Sequence, residues 1–489
     1  MTAKPNQNTA NHSTDFAELQ KQITARMQSR DLNPGVIAEF LRRVRLVHEG
    51  ASGKVDWNEI ADLQADDYAN SDDLPEPTAG DAQRDERLKQ LVVIKLNGGL
   101  GTTMGLTKAK SLIPVKDGAS FLEIIRRQIL RLRERSGATV PLLFMDSFNT
   151  REDTLAEPGI AQLNAAVDLP ADFLQNMVPR IDRETLLPIA DGSDDSHWCP
   201  PGHGDIFLAL QTTGLLDRLI KQGYRVAFLS NGDNLGATAD ERLLQYFLKE
   251  RLEFMSEVTP KTKADLKGGV LFRRRPTGGA AGSIELLETA QVPDEHLPDF
   301  QNVERFAFFN INNLWVNLEA LRERLTGNAA GLALSLIVNP KEYQGRPILQ
   351  LETAMGAAIG HFQRAKVMIV PRTRFAPVKN CADLLVRRSD CYVLNSETLS
   401  LEMNPARQLA EPIVTLSDDY KLIADFEKLI PVPPSLVGCR SLIVEGPVLF
   451  DAPVTAEGDV TIRVKNPTPG QPVSIGTRRG TLNNETVEL

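Results

Sequence analysis

The sequence predicts an α/β protein: a mixed, mostly parallel sheet crossed by helices, preceded by a helical segment and followed by a small β domain. Three observations carry that expectation. Through the middle of the chain, short apolar runs ending in glycine or asparagine turns alternate with amphipathic stretches of helical spacing. The N-terminal part has helical spacing alone, and past about Tyr392 helical spacing gives way to short β-rich runs punctuated by glycine and proline.

From Asp15 to His48 the apolar residues Phe16, Leu19, Ile23 and Met27, then Val36, Ile37, Phe40, Leu41 and Val44, recur at helical spacing around the break Asn33-Pro34-Gly35, which predicts a helical hairpin. Residues Ala69 to Glu86 are acidic and carry Pro75, Pro77 and Gly80, the composition of an exposed connector. Leu91-Val92-Val93-Ile94 then reads as a strand buried on both faces. Ser120-Phe121-Leu122-Glu123 is a capping box that opens a helix to about Arg135, and Pro141 to Met145 is the next strand. The pattern repeats as a helix over Ile206–Lys221, a strand over Arg225–Ser230 and a helix over Ala239–Arg251, so right-handed crossovers are expected, with ligands beyond the carboxyl ends of the strands. Toward the C-terminus, Leu442-Ile443-Val444, Val448-Leu449-Phe450 and Val460-Thr461-Ile462 are separated by Gly446, Pro447, Pro453 and Gly458, the pattern of a separate β domain whose permitted architectures include a β-helix.

Composition bounds the function. A chain of 489 residues, 42% hydrophobic and 24% charged, buries a large core and divides into more than one domain. The polar N-terminus, Met1 to Ser13, and the lack of any long apolar run argue against secretion and membrane spanning, which makes the cytosol the expected compartment. Four cysteines, Cys199, Cys381, Cys391 and Cys439, form no C-x-x-C pair and fit small core thiols in a reducing environment. A net charge of −9 offers no basic field for nucleic acid, so an anionic substrate must be met by local cations and backbone amides.

Leu96-Asn97-Gly98-Gly99-Leu100-Gly101-Thr102-Thr103-Met104-Gly105 is the strongest local signal. Its glycines let N–H groups turn toward a phosphate or a base. No G-x-x-x-x-G-K-[ST] passes through it, and Gly99, Gly101 and Gly105 miss the dinucleotide spacing by one residue, so a turn needed only for packing stays open. Lys108 and Lys110 follow it, either of which is a point charge suited to a triphosphate or a solvated side chain. Ser230-Asn231-Gly232-Asp233-Asn234 ends an apolar strand with a carboxylate that suits Mg²⁺ or an Asx turn. Trp198-Cys199-Pro200-Pro201-Gly202-His203-Gly204-Asp205 presents His203 as a phosphate donor or a turn histidine; His197 and Cys199 would make a zinc set with it, but no fourth ligand is in sight. Phe309-Asn310-Ile311-Asn312-Asn313 brings amides that suit sugar hydroxyls or a plain strand-end turn.

In this order, Lys95–Met104, Ser147-Phe148-Asn149-Thr150, Pro200–Ile206, Asp233–Thr238, Lys267-Gly268-Gly269, Ala290-Gln291-Val292-Pro293, Asn312–Trp315, Gln350–Ala354 and Arg374–Lys379 resemble the eukaryotic-type UDP-glucose pyrophosphorylases, from about Val93 into the C-terminal region. The resemblance implies a Rossmann-like nucleotidyltransferase domain over 89–393, with 1–88 as helical segment and connector and 394–489 as a left-handed β-helix that could join subunits into a homo-oligomer. It implies UTP and glucose 1-phosphate as substrates and Mg²⁺ as cofactor. By position, Leu96, Gly98 and Gly99 would line the uracil site, with Gln175 on the base and Gly202 beside it. Lys110 would stabilise the transition state, assisted by Lys379 and His203 at the phosphates, and Asp233 would hold the metal. Asn231, Glu288, Asn310 and Asn312 would take the glucosyl hydroxyls, with Gly269 and Phe309 in the same substrate set.

The chain departs from that pattern at Lys108-Ala109, where Gly-Pro is usual, at Asn176-Met177-Val178, commonly Ser-Arg-Tyr, and at Gly232, usually apolar. Three other readings compete. A relative acting on another sugar 1-phosphate typically shows arginine where this chain has Thr103. A non-catalytic nucleotide-sugar sensor would need neither Lys110 nor Asp233. An NAD-dependent oxidoreductase would need the dinucleotide fingerprint that the loop lacks.

Overall fold

The computed structural model describes residues 14–76, 83–189, 195–262, 265–276, 282–468, 470–476 and 480–489. Met1 to Ser13, and Pro77 and Gly80 of the expected connector, lie outside the described residues. The chain folds as two units, each built from separated segments: Met1–Val92, Phe173–Leu229 and Glu241–Val370 form the first, and Val93–Asp172, Ser230–Asp240 and Pro371–Leu489 the second.

The first unit opens with the expected hairpin, α1 (Phe16–Gln28) and α2 (Pro34–His48). Asp15 caps α1 by accepting from Ala17 N–H, and Asn33 accepts from Gly35 N–H with Pro34 at the first helical position. Leu19, Ile23, Met27, Val36, Phe40 and Val44 are buried, the faces that the spacing selects. The sheet of this unit is mixed. Ala365–Ile369 runs parallel to both Tyr68–Asn70 and Phe254–Pro260, whereas Phe308–Asn317 runs antiparallel to Phe254–Pro260 and to Val226–Leu229. Its core is large and aromatic, with Phe228 and Trp315 at 4.6 Å between ring centroids and the Trp315 indole N–H donating to buried Glu257 at 2.9 Å.

Two expectations are corrected here. The acidic connector begins as structure, because Tyr68–Asn70 pairs with Val367–Ile369 and Ser71–Asp73 forms a 3₁₀ turn; a strand this short is fixed by its partner rather than by its own pattern. The helix expected over Ile206–Lys221 is two helices, Ile206–Thr212 and Leu215–Lys221, parted at Gly214 with φ +70°. Thr213 caps the break through its hydroxyl, which donates to Ala209 O at 2.6 Å.

In the second unit Val93–Leu96 pairs in parallel with Leu142–Met145, and the helix Phe121–Ser136 is the crossover. Ser120 accepts from Glu123 N–H at 3.2 Å, and Gly137 ends the helix with φ +69°. The C-terminal strands then stack in chain order: Ile413–Leu416 on Ser441–Val444, Ser441–Glu445 on Asp459–Arg463, and Thr461–Arg463 on Thr486–Glu488, every pairing parallel. Val448–Leu449 with Val473–Ser474 forms a second parallel face. Inward positions alternate, so Leu442 lies beside Val460, Val444 beside Ile462 and Ile462 beside Val487, all buried. Among the described residues no helix is long and apolar enough to cross a membrane.

Candidate active site

In the second unit the buried strand ends at Leu96 and the glycine loop follows it as expected. Gly101 and Gly105 both have positive φ and bracket the 3₁₀ turn Thr102–Met104. Lys110 N–H donates back to Gly99 O at 3.1 Å, so the loop closes on the lysine that succeeds it. A cluster that the sequence did not reveal lies beneath. Asp146, fully buried, accepts from Asn97 Nδ2 at 2.8 Å, Thr154 Oγ1 at 2.8 Å and Thr150 Oγ1 at 3.3 Å. Burial pushes its carboxyl up to about 6 despite those donors, and its Oδ2 is without a hydrogen-bond partner. Asp153 adds a second anchor by accepting from Ala109 N–H at 2.8 Å.

The Asn231–Asn234 turn meets that loop through its backbone, with Gly232 N–H donating to Leu96 O at 2.8 Å. The open question of the turn resolves by residue. Asn234 is the turn former, accepting from Gly236 N–H and Ala376 N–H and donating to Arg374 O. Asp233 is left over from that role and pairs with Lys110 at 2.6 Å, while Lys110 Nζ also donates to Val378 O. Lys108 is exposed, so of the two loop lysines Lys110 carries the contact. Lys379 is exposed too, and its backbone N–H donates to Asp383 at 2.7 Å; Asn231 is half-buried.

The first unit holds the remaining candidates. Gly202, φ +87°, sits where a Cβ would fall 2.5 Å from Thr353 O and 2.6 Å from Thr353 N, so only glycine fits. His203 Nδ1 accepts the backbone N–H of Met355 at 3.0 Å, which fixes the tautomer: the ring's proton is on Nε2. Burial pushes this imidazole down to about 4, so at neutral pH it is an uncharged donor. Gln175 is buried, and its neighbour Asn176 binds Asp205. Strand register explains another pair: Val270 lies opposite Leu287, which places Gly269 against Glu288, close enough that a Cβ there would stand 2.9 Å from the carboxyl and the Glu288 side chain would have to shift. Asn310 and Asn312 are not a strand-end turn. They lie inside Phe308–Asn317, where the register against Phe254–Pro260 shifts and Asn312 takes φ +56°. There Asn310 Nδ2 donates to Asn312 Oδ1 at 2.9 Å, and Ser256 Oγ donates to Asn310 Oδ1 at 3.0 Å. Phe309 next to them is buried.

A glycine-walled turn, one amine and one carboxylate at the ends of strands are the donor set of the α/β proteins that handle phosphorylated ligands. The comparisons with known proteins narrow that class. The family model of UTP–glucose-1-phosphate uridylyltransferase matches residues 37–456, and the chain belongs to that family. It is 42% identical over 432 residues to the UTP–glucose-1-phosphate uridylyltransferase of Solanum tuberosum, covering 87% of this chain and 88% of the relative. With that of Saccharomyces cerevisiae the identity is 40% over 428 residues, 86% of this chain and 83% of the relative. Among solved structures, a variant of the UDP-glucose pyrophosphorylase from Leishmania major in complex with UDP-glucose superimposes with TM-score 0.86 at 36% identity, covering 96% of this chain and 99% of the other.

Proposed function

We propose that the chain catalyses UTP + glucose 1-phosphate ⇌ UDP-glucose + pyrophosphate. Family membership supports the reaction, and the observation that carries the chemistry is the Lys110–Asp233 pair at the foot of the glycine loop. A phosphate oxygen of glucose 1-phosphate attacks the α-phosphorus in line and pyrophosphate leaves; the nucleophile is already ionised, so the task is to hold two polyanions together. Alignment of both substrates is worth ~7–11 kcal/mol of barrier. Lys110 supplies the preorganised positive charge, assisted by Lys379, and His203 Nε2–H adds an uncharged hydrogen bond to phosphate.

In the second unit Leu96, Gly98 and Gly99 cover the base and Asn231 takes a sugar hydroxyl. In the first, Gln175 and Gly202 read the base, while Gly269, Glu288, Phe309, Asn310 and Asn312 form the sugar set. Asp233 fits Mg²⁺, because this ion binds through one or two carboxylates and substrate phosphates. When bound, the ion would neutralise charge on the phosphates, with Asp233 as the residue that would hold it and Lys110 as the amine that would face the substrate.

The proposed domains are 1–88, 89–393 and 394–489, the last a left-handed β-helix and the surface for any homo-oligomer, supported by the parallel stack of its strands and by Ile413, 68% exposed on the edge strand. The proposed compartment is the cytosol. The deciding experiment is pyrophosphate release with Mg²⁺ and UTP, comparing the 1-phosphates of glucose, N-acetylglucosamine and galactose. Strong preference for glucose 1-phosphate is expected; preference for either other sugar overturns the substrate, and no release with any overturns the reaction.

A further inference from the structure

The turn from Pro201 to Asp205 is held from several sides. Arg43 of α2, only 4% exposed, donates through Nη1 to Pro201 O at 2.8 Å and to Leu351 O at 3.2 Å, and its Nε is held by Glu39 at 3.0 Å. Thr353 N–H donates to Pro201 O, and Gly204 N–H donates to Thr353 O at 2.9 Å. Asp205 closes the turn at 2% exposure, and its carboxylate is bonded, among the described residues, by Asn176. Asn176 donates its backbone N–H to Oδ2 at 2.6 Å and its side-chain Nδ2 to Oδ1 at 3.0 Å and Oδ2 at 3.1 Å. Asn176 directly follows Gln175, and it is one of the positions that set this chain apart in sequence.

A buried carboxylate is unfavourable unless it is bonded, and Asn176 supplies those bonds. Here the bonds anchor the peptide that carries Gln175 to the turn that carries Gly202. An amide reads uracil by offering an acceptor to N3–H and a donor to O4; cytosine reverses both, and discrimination survives only if the amide stays within about 0.5 Å of its place.

We propose that Asp205 is a specificity-determining positioning residue: through Asn176 it fixes Gln175 relative to Gly202, with Arg43 of α2 as buttress, and so sets the preference for uracil over cytosine. The inference rests on the reading that Gln175 and Gly202 take the base.

The test measures kcat and KM for UTP and CTP, with glucose 1-phosphate, in the full chain and in Gln175→Ala, Asp205→Asn, Asn176→Ala and the exchange Asp205→Asn with Asn176→Asp, each checked for folding by thermal melting. Asp205→Asn sets amide donor against amide donor. It is expected to lower the UTP-to-CTP ratio of kcat/KM about tenfold, mainly through KM for UTP, with KM for glucose 1-phosphate unchanged. Asn176→Ala should lose a smaller part, and the exchange should regain some of it. If Gln175→Ala lowers the ratio while folded Asp205→Asn and Asn176→Ala keep it, the inference fails and the base-site reading stands. If Gln175→Ala keeps the ratio, the base-site reading fails and this inference with it. Should Asp205→Asn not fold, Asn176→Ala decides alone. A folded exchange that regains nothing assigns the loss to packing and overturns the pairing.

Discussion

The Asn231–Asn234 turn of the second unit and the Pro201–Asp205 turn of the first are both candidate ligand contacts, but the protein prepares them in opposite ways. The first carries a charge pair: Lys110 and Asp233 meet at 2.6 Å, a pair that the proposed reaction has substrates part. The second is held by backbone bonds: His203 is uncharged and fixed by Met355 N–H, and Gly202 is pressed against Thr353. On the proposed reading, one site rearranges its charges when ligand arrives, and the other is finished beforehand. Charge that must be rearranged belongs where charge develops in the reaction, and a finished surface belongs where ligands are told apart.

The largest effect expected from that contrast is on Lys110. Lys110→Ala should lower kcat by roughly 10²–10³ with little change in KM for glucose 1-phosphate; near-normal turnover in steady-state assays would erase the distinction between the two turns. Asp233→Ala should raise the Mg²⁺ concentration needed for half-maximal rate, read from a metal titration at saturating UTP. An unchanged titration would remove Asp233 from the metal.

Titration sharpens the comparison through one group in each unit, His203 in the first and Asp146 in the second. His203 binds its proton near 4 in the fold against an ordinary value of 6.5, so the unfolded chain holds more protons between those values and stability falls as pH drops through the window. Asp146 is raised from 3.8 to about 6, so the folded chain holds more protons there and stability falls as pH rises through it. The two slopes oppose. Thermal melting of His203→Gln between pH 6.5 and 4 should show a weaker loss toward acid than the parent, and Asp146→Asn a stronger one; a shift of both profiles in the same direction would contradict the assignment. The smallest effect is expected at Gly105, φ +72°, where a Cβ would stand 2.9 Å from Leu422. Gly105→Ala should cost about 1–2 kcal/mol, measured by denaturant unfolding.

Local features were legible in the sequence because local chemistry makes them. Ser120 caps its helix, Pro34 opens one, and glycines mark the loop that must turn sharply after Leu96. Gly214 broke a helix whose apolar spacing ran on without a phase change, so periodicity alone joined what φ +70° separates. The Asp233 question was undecidable locally, since Asp and Asn both make such turns; only the partners of Asn234 on Arg374 and Ala376 assign the turn to one and free the other for Lys110. The supports were hidden for the same reason. Arg43 reads as one more helix cation until its contact with Pro201, 158 residues away, is seen, and Asp146 reads as a strand terminus until Asn97 and Thr154 gather on it. Likewise the C-terminal alternation is visible residue by residue, while the parallel stacking that joins Leu442 to Val460 is not.

The packing of Leu422 on Gly105 also sets an order of events in the making of the protein. The loop leaves the ribosome early and Leu422 late, and a nascent chain grows at about 5–20 residues per second. Throughout that interval Gly105 has no Leu422 against it, so the loop reaches its final packing only once the C-terminal region is being made. A ribosome stalled before Leu422 therefore holds a chain that has its ligand-contacting residues in sequence but not yet the loop's finished surroundings.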